Sequence, residues 1–168
     1  MKIGIVYYSR TGNTRHVAKI LEEKFKEKNT EVDLIEIEHE RRPGFFAAGR
    51  VAMKQEDLPI KNTNFDMGHY DVILAGSPTW AGRPSPFLKS FLRKAEHITG
   101  KTVAFFGTGM SPITKRDEFQ HILKNELGPL GIKIADSFLP LAFKKGQLVD
   151  GQQHIDDFIT TILHIPKG

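Results

Sequence analysis

Short apolar runs alternate along this chain with stretches whose apolar residues recur every three or four positions. That alternation confines the fold to helices packed against a parallel sheet. Ile3 to Tyr8 reads as a buried strand, after which Val17, Ala18, Leu21 and Phe25 share one face of a helix from about Thr14 to Lys28. Tyr70 to Gly76 and Lys101 to Gly107 are further strands, apolar almost throughout. Between them Ser85 is an N-cap with Pro86 at the first helical position, ahead of a stripe of Phe87, Leu88, Phe91, Leu92 and Ala95. Thr114 with Asp117 caps the next helix, whose apolar face is Phe119, Ile122, Leu123 and Leu127 and which Gly128 and Pro129 stop. A last strand around Ile132 to Leu141 precedes a closing helix marked by Ile155, Phe158, Ile159, Ile162 and Leu163.

This order predicts an α/β three-layer sandwich with a five-stranded parallel sheet and helices on both faces. The run EVDLIEIE, Glu31 to Glu38, alternates apolar and acidic residues, as a strand at a wetter sheet edge does. Placing it there gives the strand order 2-1-3-4-5. Residues 39 to 69 are the least periodic; their FFAAGRVAM portion is expected to include a helix over the sheet.

The 168 residues suffice for one domain, taken as 1–168, and are too few to suggest two. There is no cysteine, which removes disulfides, thiolate nucleophiles and cysteine-held clusters. The seven histidines have no ligand spacing, so no metal is expected. A net charge of +4 is spread along the chain, with small clusters at Arg41-Arg42 and Lys144-Lys145. No module for nucleic acid is recognisable, and no apolar stretch is long enough to span a membrane. The opening MKIGIVYYSR has too short an apolar run for a secretory signal, so the protein is expected to be cytoplasmic.

In a sheet of this order ligands bind beyond the carboxyl ends of the strands, at the switch point between the first and third. Three loops reach that rim. The first is Ser9-Arg10-Thr11-Gly12-Asn13-Thr14, where Gly12 can turn successive amides outward at the start of a helix. Ser9, Thr11, Asn13 and Thr14 add neutral donors, more than a helix cap needs, and the set suits a phosphate monoester. Neither GxxxxGK[ST] nor GxGxxG is present, which excludes triphosphate and dinucleotide loops of those types. The second loop, Gly76-Ser77-Pro78-Thr79-Trp80-Ala81-Gly82-Arg83-Pro84, holds the only tryptophan. Beside the first loop, its indole is expected to stack on a planar ligand rather than pack over the neighbouring helix. The third, Gly107-Thr108-Gly109-Met110-Ser111-Pro112, suits hydrogen bonds to a ring edge through its backbone.

With these residues in view, the sequence resembles the flavodoxin-like family over essentially its whole length. The [ST]-x-T-G-N-T loop is similar to that family's phosphate site for flavin mononucleotide (FMN), here Ser9 to Thr14. YDVILAGSPTWAGRPSPFLKSFL is similar to its second flavin loop, and AFFGTG to the start of the third. The resemblance implies FMN as cofactor, held by Ser9, Arg10, Thr11, Gly12, Asn13 and Thr14 at the phosphate. It implies Pro78, Thr79, Trp80, Ala81, Gly82, Thr108, Gly109 and Met110 around the ring. No side chain of the chain itself is assigned a catalytic role; the flavin carries that chemistry.

Two departures from the family pattern matter. Flavodoxins proper often stack a tyrosine from loop three on the flavin, with an acidic residue nearby; here Met110 is the only large apolar side chain there. They are also acidic, whereas this chain is basic, which favours the anionic reduced flavin and a less negative midpoint for the last reduction step.

The expected function is therefore FMN-based electron transfer. One role is a carrier serving a redox partner protein; the other is NAD(P)H-dependent reduction of a quinone-like acceptor across an open flavin face. Phe45, Phe46 or Met53 either join the core or form that pocket's wall. The alternative is a flavodoxin-like domain without redox activity, acting as a binding or signalling module. A phosphoacceptor receiver is disfavoured, because Ser9-Arg10 and Gly76-Ser77 stand where its acidic residues belong. The oligomeric state is left open, a homodimer included.

Overall fold

Strand β1 (Lys2–Tyr7) is buried from Ile3 onward and lies between two parallel neighbours, β2 (Glu31–Glu36) and β3 (Val72–Trp80). Its side chains alternate between two cores. Ile3, Ile5 and Tyr7 pack with Val17, Ala18, Leu21 and Phe25 of α1 (Asn13–Glu27), while Val6 and the following Tyr8 face the other side. The computed structural model describes residues 1–41, 43–54, 57–110 and 116–166.

The remaining elements are α2 (Phe45–Lys54), β4 (Arg83–Pro84), α3 (Pro86–Lys94), β5 (Thr102–Gly109), α4 (Arg116–Leu127), β6 (Lys133–Lys144), β7 (Gln147–Asp150) and α5 (His154–Leu163). Helices α1 and α5 cover one face of the sheet. Ala48 and Ala52 of α2, the α3 stripe, and Phe119, Leu123 and Leu127 of α4 cover the other. The parallel strands run β2-β1-β3-β5-β6, which is the expected 2-1-3-4-5 order with the wetter strand at the edge. Between the inner strands the approach is close. A Cβ on Gly76 of β3 would lie 2.1 Å from the Phe106 ring of β5, so only glycine lets that ring cross the neighbouring strand.

The sheet has seven strands, not five. Both additions come from two-residue turns with positive φ at each position, the geometry that matches strand twist. Ala81 (φ 50°) and Gly82 (φ 80°) fold β4 back on β3, and Lys145 (φ 52°) and Gly146 (φ 78°) fold β7 back on β6. Strand three therefore runs on to Trp80 instead of stopping at Gly76, and the last strand runs on to Lys144. Lys144-Lys145 marks a hairpin tip. Strand two, in contrast, ends at Glu36, where the Asn62 side chain takes over its edge by accepting from the Glu38 amide and donating to the Glu36 carbonyl. Ser85 caps α3 as expected, its Oγ accepting from the Phe87 amide at 3.4 Å, and α4 stops at Leu127 ahead of a 3-10 turn at Gly128–Leu130. The Thr114 cap lies outside the described residues.

Candidate functional site

The first loop leaves two backbone amides, those of Asn13 and Thr14, without acceptors among the described residues. Gly12, at φ 94°, begins α1 with no side-chain cap of its own and no acidic residue in the first turn. A Cβ there would meet nothing within 4 Å, so the glycine is required by its backbone angle and not by crowding. The Ser9 hydroxyl reaches across to accept from the Arg15 amide at 3.2 Å. The amides of Asn13 and Thr14, ahead of Arg15, meet no acceptor among the described residues. Helix dipole and free amides together favour an anion at this end.

The nearest cation on the helix is committed elsewhere. Arg15 donates from Nε and Nη2 to the two oxygens of Glu36 at 2.9 and 2.6 Å, and the Tyr7 hydroxyl donates to the same carboxylate at 3.2 Å. Burial first, and the Glu36 charge second, push the Tyr7 phenol up to about 12. The phosphate end thus consists mainly of neutral donors, because Arg15 is tied to the edge strand and Arg10 lies over the Trp80 ring.

Three contacts bring the three loops together. The buried hydroxyls of Thr14 and Thr108 are bonded at 2.8 Å, joining loop one to loop three. The Arg10 guanidinium lies 5.4 Å from the centre of the Trp80 ring, joining loop one to loop two. Thr79 lies beside Gly109, where an added Cβ would come within 3.4 Å of the Thr79 side chain, joining loops two and three. Pro78 pairs in register with Thr108. Thr11, Thr79 and Ala81 are exposed, Ser9, Arg10, Gly12, Asn13, Pro78, Gly82 and Gly109 are half-buried, and Met110 stands 82% exposed.

Trp80 is placed otherwise than a rim-exposed indole would be. It is 7% exposed and meets Tyr8 and Phe87 edge-on, at 5.8 and 6.2 Å between ring centres. Packing over the neighbouring helix is thus what the structure shows for its inner side, with Arg10 over the ring. Ser77 pins the base of this hairpin: its Oγ accepts from the Ser85 amide at 2.7 Å and donates to the Pro78 carbonyl.

Sequence reading missed the Thr14–Thr108 bond, the Arg15–Glu36–Tyr7 cluster and the approach of α2, whose Gly49 lies against Ala81. It also missed His39, edge-on to Tyr8 and Phe87 at 5.6 and 5.2 Å. Only the Tyr7–Glu36 pairing had a sequence signal, the acidic end of an edge strand beside β1. Of the side chains proposed for a pocket wall, Met53 is 65% exposed; those of Phe45 and Phe46 lie outside the described residues, as do Ser111 and Pro112.

The comparisons with known proteins define the class. The model of the NADPH-dependent FMN reductase family matches residues 1–130, and the chain belongs to that family. It is 30% identical over 94 residues to an NAD(P)H dehydrogenase (quinone) of Caulobacter vibrioides, a match covering 56% of this chain and 46% of that one. The chain thus spans about half the length of that relative. It is 28% identical over 147 residues to a flavodoxin of Synechocystis, covering 84% of this chain and 72% of the other.

Among solved structures, a flavoprotein of Lactobacillus acidophilus in complex with FMN superposes with a TM-score of 0.70 at 21% identity, covering 94% and 97% of the two chains. An archaeal flavodoxin superposes at 0.61 and 19%, covering 98% and 100%. Both show the same flavodoxin-like fold. Family membership makes FMN the cofactor. The free amides, the neutral hydroxyls and the absence of an acid in the first turn of α1 fit its phosphate. Among the described residues no helix is long and apolar enough to cross a membrane.

Proposed function

We propose that the chain, acting as one flavodoxin-like unit, binds FMN across this rim and uses it to pass electrons from NAD(P)H to a quinone-like acceptor. Ser9 to Thr14 would hold the phosphate, and Pro78 to Gly82 with Gly109 and Met110 would surround the ring, the buried Thr108 being bonded to Thr14. When bound, FMN supplies the two-electron chemistry. The protein's own part is to anchor the phosphate on neutral donors, fix the ring between the second and third loops, and leave one side open. The observation that carries this reading is Met110. At 82% exposed it is packed on almost nothing, where flavodoxins proper often carry a stacking tyrosine. An acceptor that must meet the ring needs that opening. The FMN reductase family match and the Caulobacter relative support it as well.

A carrier of single electrons between proteins is the second reading, favoured by the likeness to the Synechocystis flavodoxin over 84% of the chain. For either role we propose a cytoplasmic location. Stopped-flow mixing of the FMN-loaded protein with NADPH separates the two. Rapid bleaching of the flavin, restored by a quinone, is the result expected of a reductase. Bleaching that occurs only with a protein reductant leaves the carrier.

A further inference from the structure

Thr14 and Thr108 are among the few polar residues buried in this protein, at 1% and 4% exposed, and they lie 94 residues apart in the sequence. Their hydroxyl oxygens are 2.8 Å apart, a full hydrogen bond between the first turn of α1 and the carboxyl end of β5. The proton count is informative. Two hydroxyls carry two protons, and one of these closes the bond. The other meets no further acceptor among the described residues. With Thr108 as the donor, that proton stays on Thr14, in the same turn as the amides of Asn13 and Thr14, which also meet no acceptor among the described residues. A buried surplus donor is costly unless something with lone pairs arrives, and several together call for a group with several oxygens.

Thr108 also stands directly before Gly109 and Met110, and Gly109 lies against Thr79 of the second loop. Whatever fixes Thr108 therefore touches both the phosphate turn and the part of the rim assigned to the ring.

We propose that Thr108 is a positioning residue of the phosphate site, orienting the Thr14 hydroxyl and the first turn of α1 from behind and contacting the phosphate only through them. This rests on the FMN reading above and departs from the expectation that loop three serves the ring edge alone. Donation from Thr108 to Thr14 leaves the Thr14 proton for the anion, and a chain of hydroxyls polarised in this sense binds a dianion better than either member alone. The bond also gives the protein a means of telling a phosphorylated flavin from an unphosphorylated one at a residue that touches neither.

The test compares FMN with riboflavin, which lacks the phosphate, by flavin fluorescence titration of wild type, Thr108→Val and Thr108→Ser. Thr108→Val should weaken FMN by about tenfold while riboflavin binds as it does to wild type, and Thr108→Ser should restore FMN affinity. The phosphorus NMR resonance of bound FMN should shift in Thr108→Val and return in Thr108→Ser. Equal weakening of FMN and riboflavin would assign Thr108 to the ring or to general packing and overturn the proposal; so would undiminished FMN binding. Where Thr108→Val does not fold, Thr108→Ala is titrated in its place, with riboflavin affinity as the internal check on the rim. Wild type that binds riboflavin and FMN equally, or neither, sinks the cofactor reading itself, a result distinct from any difference among the variants.

Discussion

The two ends of the rim are built on opposite plans. At the phosphate end, among the described residues, the chain leaves donors unmet: a turn in a positive-φ conformation, amides without acceptors, and open space where a Gly12 side chain would be. At the hairpin end it leaves little unmet. Trp80 is wedged against Tyr8 and Phe87, Ser77 holds the hairpin base with two hydrogen bonds, and α2 presses Gly49 against Ala81. The first end is organised to receive something, and the second is organised first to hold the rim in shape. Substitutions should therefore separate: those at the hairpin act chiefly on folding, those at the first loop chiefly on binding.

The largest effect expected is at Trp80. Replacing it with alanine empties a site bounded by three aromatic and cationic side chains and should cost roughly 3–5 kcal/mol, read as a lowered urea midpoint of the protein without flavin. Trp80→Phe keeps much of the packing and tests the stacking expected from the sequence. If the indole is mainly a core residue, FMN affinity changes little. If affinity falls by tenfold or more with stability retained, the outer side of the indole stacks on the ring and the division of labour drawn here is wrong.

This contrast also explains what the sequence could and could not reveal. The strand order was legible because buried parallel strands are continuous apolar runs and the edge strand is not: IGIVYY, DVILAG and VAFFG stand apart from EVDLIEIE. The turn of the first loop was legible because it is local, six mostly polar residues with one glycine that does adopt positive φ. The hairpin was harder. Ala81 adopts φ 50° although alanine seldom does, so the turn lacked the asparagine or aspartate before glycine that marks such turns, and β4 went unseen. Lys145-Gly146 hid β7 in the same way. The Thr14–Thr108 bond had no sequence signature, since nothing local relates residues 94 positions apart.

A smaller effect belongs to Ser9. Its hydroxyl substitutes for the missing N-cap side chain by accepting from the Arg15 amide, so Ser9→Ala should cost roughly 1 kcal/mol of stability, the usual worth of a cap. Its share of phosphate binding should be lost too, so FMN affinity should drop while riboflavin affinity holds. A stability loss as large as that of Trp80→Ala, with FMN binding intact, would erase the difference between the two ends.

The smallest effect is electrostatic and concerns why the phosphate end is neutral. Arg15 stands at the third position of α1, close enough to an anion at the helix end to serve it, yet it is held by Glu36. Glu36→Gln removes the charge that holds it. FMN affinity at low salt should then tighten by about two- to fivefold, the worth of an exposed ion pair, and the gain should fade as salt is raised. The same substitution has a second readout in Tyr7. Its phenol is pushed up to about 12, by burial first and by the Glu36 charge and hydrogen bond after it. A phenol whose folded value is raised contributes stability that is fully present below its ordinary value near 10 and is lost as pH rises through 12. In Glu36→Gln the Tyr7 value should fall but stay above 10, because burial remains, so less stability should be lost above pH 10. Tyr70, also near 12 through burial and Asp33, should not move and serves as the reference in a tyrosinate absorbance titration. A shifted Tyr7 without any gain in FMN affinity would mean that the edge strand does not withhold Arg15 from the phosphate.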